Sequence, residues 1–314
     1  MEALENVPLV SIVTPTYNRA HTLPRLWNSI RQQTLRCFEW IVVDDGSRDN
    51  TAKLVRQWME EDPRVVYVAH AQNQGVNAAR DTGTRRARAP YLVFIDSDDT
   101  FYEPCSLELM YNEIRNSPEN VGAVWFSTVR EDGQPVSYVG SERLQLCYEE
   151  VVCAKGIAGE FIGICRRPYV ECAPWSPYRG LEALHHWARA RHYSTVYMQK
   201  VARIYYSDAG DRLISTASIL RRAQEMYEGM VCLLQEHGDV LKRHCRRRLY
   251  EHYFYVSLYA ALSGREKEAL SYAARALLGG ACRAKSVAVM LSCILPHFWR
   301  GKMLHWWNML RRKG

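Results

Sequence analysis

The strongest constraint on this chain is a repeated alternation near its start. The runs "LVSIVTP" (9–15), "FEWIVVDD" (38–45), "VVYVA" (65–69) and "YLVFID" (91–96) are apolar almost without interruption. A strand that faces water on one side alternates in polarity, so continuous runs of this length describe strands buried on both faces. Residues 22–33, 50–61 and 75–87, which separate them, carry helical periodicity. Strand, helix and strand in succession require a mostly parallel sheet with flanking helices, and such open sheets bind ligands beyond the carboxyl ends of their strands. A further apolar run, "VGAVWFSTV" (121–129), continues the sheet, and "REDGQPVSYVGSE" (130–142) reads as a polar loop.

Beyond this the pattern changes. Between 150 and 205, "FIGICRRPYV" (161–170) is strand-like, "GLEALHHWARA" (180–190) helical and "TVYMQKVARIYY" (195–206) extended; from about 215 it is wholly helical. The expected organisation is an α/β domain over 1–214 and a helical extension over 215–314. The net charge of +7 is concentrated late, with fifteen Lys/Arg against three Asp/Glu from residue 240 onward. That bias points to an anionic partner for the C-terminal part, and "KRHCRRR" (242–248) is too short a run to argue for nucleic acid. Residues 299–313 place Trp299, Met303, Trp306, Trp307 and Leu310 at helical spacing beside Arg300, Lys302, Arg311, Arg312 and Lys313. Two readings fit: a helix lying in the plane of an anionic membrane, or one whose aromatic face packs on the protein. No run reaches the ~18 apolar residues of a membrane span. Residues 1–8 lack a leader pattern, and ten scattered cysteines form no CxxC pair. Reduced thiols and a cytoplasmic location are the expectation.

The polar groups at the strand ends carry the chemistry. Asp96, Asp98 and Asp99 crowd into four positions after the fourth run. Their repulsion is relieved by a hard divalent cation shared with a ligand's phosphates; alternatively, Asp98 and Asp99 cap a helix beginning near Pro104. Asp44 and Asp45 close the second run, and Thr14, Thr16, Tyr17 and Asn18 close the first. An aromatic ring beside carboxylate and hydroxyl groups suits a nucleoside. There is no GxGxxG after a strand and no GxxxxGK[ST], which argues against a Rossmann dehydrogenase and against a P-loop enzyme. A bound diphosphate would then rest on a cation and on basic side chains, with Arg80 and Arg212 as candidates.

The stretches "VSIVTPTYNRAHTLPRLWNSIRQQT", "FEWIVVDDGSRDNT", "NQGVNAARDTG" and "YLVFIDSDD", in this order, resemble the family-2 glycosyltransferases over residues 10–99. The resemblance implies a GT-A fold, with a donor-binding half at about 8–130 and an acceptor-side half at about 131–214. It implies Mg2+- or Mn2+-dependent, inverting transfer of one sugar from a nucleoside diphosphate sugar, and Asp45 is compatible with uridine and so with UDP. Thr14, Pro15, Tyr17, Asn18, Asp44, Asp45, Arg80, Asp96, Ser97 and Arg212 match donor-binding positions. Asp96 and Asp98 match the DXD pair, with Asp98 and Asp96 as metal ligands and Asp99 as a supporting carboxylate. Asp211 stands where a further metal ligand often resides, in the 208–215 loop, with Asp208 as the other choice.

Inversion needs a base opposite the leaving diphosphate. The resemblance assigns this to Glu182, in a motif reduced from Glu-Asp to Glu-Ala, with Glu160 and Glu171 as competitors. His185 and His186 read as packing or acceptor contacts. The QxxRW motif of processive synthases is missing, so the expected acceptor is a glycan or lipid-linked glycan receiving one sugar, on the inner face of the cell membrane if 299–313 dock there. The alternative is an inactive nucleotide-sugar-binding scaffold in a glycan-assembly complex. A sugar nucleotidyltransferase would need a glycine-rich loop after the first strand, and "TPTYNRAHT" has no glycine.

Overall fold

The computed structural model describes residues 7–207, 216–280 and 283–293. Arg212, Asp211, Asp208 and the 299–313 segment lie outside the described residues. By internal packing the chain divides into two compact units, residues 1–177 with 185–209, and 178–184 with 210–314.

The first unit opens as the alternation requires: β1 (Val10–Thr16), α1 (Leu23–Arg31), β2 (Phe38–Asp44), α2 (Thr51–Glu61), β3 (Val65–Ala69), α3 (Val76–Arg86) and β4 (Tyr91–Phe94). The chain continues through β5 (Thr100–Phe101), α4 (Ser106–Arg115), β6 (Val121–Arg130), β7 (Ser137–Val139), β8 (Arg143–Leu146), α5 (Tyr148–Val152), β9 (Ile157–Gly159), β10 (Phe161–Arg166), α6 (Arg167–Glu171), α7 (Glu182–Ala190) and β11 (Ser194–Tyr205). The main sheet runs β3-β2-β1-β4-β10-β6-β11-β5, with β8 on β11, while β7 and β9 form a separate pair.

The strands β1, β2, β3 and β4 pair in parallel, and β10 then enters antiparallel between β4 and β6. Successive strands step outward from β1 to β3 and then return to the other side of β1 at β4, which makes the C-terminal ends of β1 and β4 a topological switch point. The 121–129 run joins the sheet as expected, but through β10 rather than directly against β4. The 161–170 run is strand only to Arg166; Pro168, at the start of α6, lacks the N–H a strand ladder needs and suits the first helical turn.

Helices cover both faces. On one face α1 directs Leu23, Leu26, Trp27 and Ile30 inward at spacings of three and four residues. There Trp27, Trp40 and Trp58 form a three-ring stack with centroids 5.2, 5.7 and 5.8 Å apart, joining α1, β2 and α2. Each ring is at least nine-tenths buried, so each contributes on the order of 2–3 kcal/mol of burial. On the opposite face α3 lies against Val13, Ile41, Val43 and Leu92 through Ala79 and Ala87. Gly83 permits its close approach, since a Cβ there would stand 2.3 Å from Val13 Cγ1.

The second unit contains α8 (Thr216–Arg221), α9 (Ala223–His244), α10 (Arg246–Leu262), α11 (Glu266–Leu278) and α12 (Arg283–Ser292), packed around Phe254, Ala260, Ala269, Ala276 and Val289. No described helix is long and apolar enough to cross a membrane. Cys37, Cys105, Cys147, Cys165, Cys172, Cys232 and Cys293 are free.

Candidate active site

The switch point gathers the polar strand ends. β1 closes with Thr14 and Thr16 buried, then turns through Asn18, whose φ of 53° is a left-handed conformation that asparagine tolerates. The Asn18 N–H donates to Ser47 Oγ at 2.8 Å, and its Oδ1 accepts from the Arg48 N–H at 2.8 Å. Asn18 thereby ties the turn after β1 to the turn after β2. Pro15 lies within β1, paired with Val43. Thr14 is fully buried, and its hydroxyl accepts from Trp40 Nε1 at 2.9 Å, so this side chain holds the tryptophan stack. Tyr17 is 38% exposed and presents the aromatic surface at this edge.

Asp44 and Asp45 are both buried and both hydrogen-bonded. Asp44 Oδ1 accepts from the Ser47 N–H at 2.8 Å, and Oδ2 from the Tyr67 hydroxyl at 2.7 Å. Asp45 Oδ1 meets His70 Nδ1 and the Gln74 N–H, each at 2.8 Å, while Oδ2 accepts from the Gly75 N–H at 2.7 Å. The carboxylate therefore holds the turn that leads into α3, near the helix N-terminus, where the dipole favours negative charge. Gly46, with φ of 81°, permits the close approach of Gln72 and Asn73.

After β4, Asp96 Oδ1 accepts from Arg80 Nη2 at 2.9 Å, and Arg80 Nη1 reaches Asn77 Oδ1 at 3.3 Å. Burial works against charge on Asp96. The guanidinium groups of Arg80 and Arg203 outweigh it, with the Arg80 hydrogen bond and Arg19, and hold the carboxyl below its usual range. Asp99 behaves oppositely. Burial pushes it up to about 8 against the pull of Arg203, with Asp96 and Asp98 adding repulsion. Arg203 Nη1 is 3.2 Å from Asp99 Oδ2, Nη2 donates to Glu160 Oε2 at 3.3 Å, and Nε donates to Thr128 Oγ1 at 3.2 Å. The Tyr206 N–H donates to Asp99 Oδ1 at 3.3 Å. Arg25 Nη2 donates to the Asp98 carbonyl at 2.7 Å, and its guanidinium lies 3.5 Å from the Tyr206 ring centroid. Ser97 is buried between the two acidic positions. The capping alternative for Asp98 and Asp99 is not what forms: α4 begins at Ser106 with Cys105 at its N-cap.

Thus Thr14 and Pro15 in the last part of β1, Asp44 at the end of β2, Arg80 on α3, and Tyr17, Asn18, Asp45, Asp96, Ser97 and Asp98 just beyond the strands all lie towards the same carboxyl edge. Among the acceptor-side carboxylates, Glu182 is exposed and begins α7, in the first turn. Glu160 is tied through Arg203 to Asp99. Glu171 pairs with Arg167, whose N–H donates to the Pro90 carbonyl at the opposite end of β4. His185 is buried and His186 half-buried; His186 Nδ1 and Nε2 meet the hydroxyls of Tyr169 at 2.8 Å and Tyr197 at 2.9 Å.

No group of three or more His, Cys, Asp and Glu side chains suited to hold a metal occurs among the described residues. Sequence reasoning did not single out His70, Thr82, Arg203 or Arg25. His70 was within its reach, as the residue that directly follows β3 at the same sheet edge; the others lie inside helices or strands and carry no local signal.

A mixed sheet with its polar strand ends at the switch point, helices on both faces and a helical C-terminal part is the GT-A glycosyltransferase fold. Residues 11–158, a little under half of the chain, match the model of glycosyl transferase family 2. The chain is 38% identical over 112 residues to chondroitin synthase of Escherichia coli, a match covering 36% of this chain and only 16% of that protein. In structure it resembles Staphylococcus aureus TarS 1–349 in complex with UDP-GlcNAc, with a TM-score of 0.57, 16% identity, and 90% and 89% of the two chains covered. It also resembles the mannosyltransferase PcManGT of Pyrobaculum calidifontis in complex with GDP-Man and Mn2+, with a TM-score of 0.57, 21% identity, and 93% and 87% covered.

Proposed function

We propose that this protein transfers a single sugar from a nucleoside diphosphate sugar, UDP-linked in our reading, to a glycan or lipid-linked glycan acceptor with inversion at the anomeric carbon. The observation that carries the reading is the crowding of Asp96, Asp98 and Asp99 beside Arg80 and Arg203 at the switch point. Two relatives in fold carry UDP-GlcNAc and GDP-Man in their solved complexes, which supports a nucleotide-sugar donor.

The residues present fit a divalent cation. Mg2+ or Mn2+ in such sites takes one or two protein carboxylates and completes its shell with water and substrate phosphates. Asp98 and Asp96 supply that number of hard oxygen ligands, and their charges repel that of Asp99, a repulsion a cation would relieve. Asp211, the third proposed ligand, lies outside the described residues. When bound, the cation would neutralise charge on the departing diphosphate.

The chain's own groups do the rest. Tyr17 and the Asp44–Asp45 turn form the nucleoside wall. Arg80, oriented by Asn77 and Asp96, places a guanidinium for the diphosphate. Glu182 takes the acceptor hydroxyl's proton as its oxygen bonds to the anomeric carbon and the carbon–oxygen bond to the diphosphate breaks. Docking of 299–313 on an anionic membrane would bring a lipid-linked acceptor near. Flotation with anionic vesicles tests it: equal binding by the chain ending at Pro296 removes the idea.

The decisive experiment is calorimetric titration with UDP, GDP, CDP and dTDP, with and without Mn2+, on the wild type and Asp98→Asn. Binding of UDP that requires both the metal and Asp98 supports the proposal. Binding of no nucleotide under any condition refutes it. Glu182→Gln is expected to abolish transfer while UDP affinity stays nearly intact; retained turnover moves the base to Glu160.

A further inference from the structure

A chain of contacts behind the nucleoside wall has no role in the mechanism so far. His70 follows β3, and its backbone N–H donates to the Asp44 carbonyl at 2.8 Å. Its Nδ1 is 2.8 Å from Asp45 Oδ1, and its Nε2 is 2.9 Å from the hydroxyl of Thr82 on α3. The side chains of His70 and Asp45 are 9% and 4% exposed. An ionised Asp45 only accepts, so Nδ1 carries the hydrogen; in the neutral ring Nε2 then accepts from the Thr82 hydroxyl, which fixes the tautomer.

The consequence follows from counting donors. A carboxylate has about four lone-pair sites. Oδ1 meets two donors, His70 Nδ1 and the Gln74 N–H, and is filled; Oδ2 meets one, the Gly75 N–H. Of the hydrogen bonds shown, Oδ2 retains acceptor capacity. The same ring reaches α3 through Thr82, and Asp45 holds the turn that leads into that helix, so rotation of Asp45 about its side chain breaks three contacts at once. We propose that His70, with Thr82 behind it, is a positioning residue for nucleobase selection: it turns Asp45 so that the Oδ2 lone pair is kept for an imide N–H. Uracil presents that group at N3 and guanine a comparable lactam N–H at N1, whereas cytosine presents a bare ring nitrogen at the equivalent place.

This inference rests on the nucleotide-sugar reading of the same site, and the test separates the two. The affinities of UDP, GDP and CDP are measured calorimetrically with Mn2+ on wild type, His70→Ala, His70→Asn and Thr82→Val. His70→Ala is expected to weaken the preferred imide nucleotide about tenfold, as befits one lost hydrogen bond to a charged group, and CDP much less. Asparagine places an amide N–H near the position of Nδ1, so His70→Asn restores most of the preference; Thr82→Val falls between. A purely structural role predicts equal weakening of all three nucleotides alongside a lowered melting temperature, with no rescue by asparagine, and that result overturns the proposal. So does a wild-type preference for CDP, or His70→Ala with unchanged selectivity. A wild type that binds no nucleotide removes the parent reading instead, and this one with it.

Discussion

The substitution Gly83→Ala isolates the contact that seats α3 on the sheet. The added Cβ would stand 2.3 Å from Val13 Cγ1 and 3.3 Å from both Val13 Cγ2 and Val43 Cγ2. Carbon atoms pack at about 3.5–4.0 Å, so the nearest contact is more than about 1 Å too short. Neither valine can yield easily, because both are fully buried and β-branched side chains are stiff. Overpacking of this kind costs about 1–3 kcal/mol. Replacing glycine inside a helix returns about 0.8–1 kcal/mol. The net loss is about 0–2 kcal/mol, or a fall in melting temperature of up to roughly 8 °C for a unit of this size. Function should suffer with stability, because the helix that must move outward carries Arg80, whose bond to Asp96 is 2.9 Å long. The assay is thermal unfolding of Gly83→Ala, Val13→Ala and the double variant, with UDP affinity measured on each. Val13→Ala makes room for the new methyl, so a coupling of about 0.5–3 kcal/mol is expected between the two sites. An alanine variant as stable as wild type, with no coupling to Val13, would refute the reasoning.

Two further predictions concern pH, and they have opposite signs. Burial, with Arg189 nearby, lowers the His186 imidazole to about 4 from its ordinary 6.5; the unfolded state therefore binds the proton first, and stability falls as pH drops from 6.5 towards 4. The total is about 3 kcal/mol by proton linkage, and His186→Gln should lose that part of the acid sensitivity in urea unfolding at pH 4.5 and 7. Asp99, raised to about 8, contributes stability at low pH that is lost as pH rises through 8. Between pH 5 and 8, without divalent ions, Asp99→Asn should gain on wild type by about 1 kcal/mol per pH unit, and parallel profiles would count against a neutral Asp99. Finally, Arg80→Ala should weaken UDP by roughly tenfold to a hundredfold, the loss of a charge-assisted contact, while uridine binding changes little; equal losses for both ligands would place Arg80 at the base rather than the diphosphate.

The parallel half of the fold was legible because its strands are buried on both faces, which leaves almost no polar residue inside them. Their polar ends are conspicuous for the same reason, and Asp44, Asp45, Asp96 and Asp98 stand out in the primary structure. The antiparallel insertion was not legible. Nothing in "FIGICRRPYV" says that β10 lies between β4 and β6, because an apolar strand pairs as well with one neighbour as another until loops and helices restrict the choice. Its second half also read as strand, yet Pro168 and the helix-forming end of the run made α6.

Residue types and their order along the chain therefore determined which side chains stand at the carboxyl edge of the sheet, since a strand's end is a local property of its hydrophobic run. How those side chains are used was a tertiary decision. Thr14 is spent on Trp40, Asp45 is shared among His70, Gln74 and Gly75, and Arg203 is brought to Asp99 from more than a hundred residues away. Hydrogen bonds and ion pairs depend on distances of about 3 Å, and such distances between remote residues exist only once the sheet has closed.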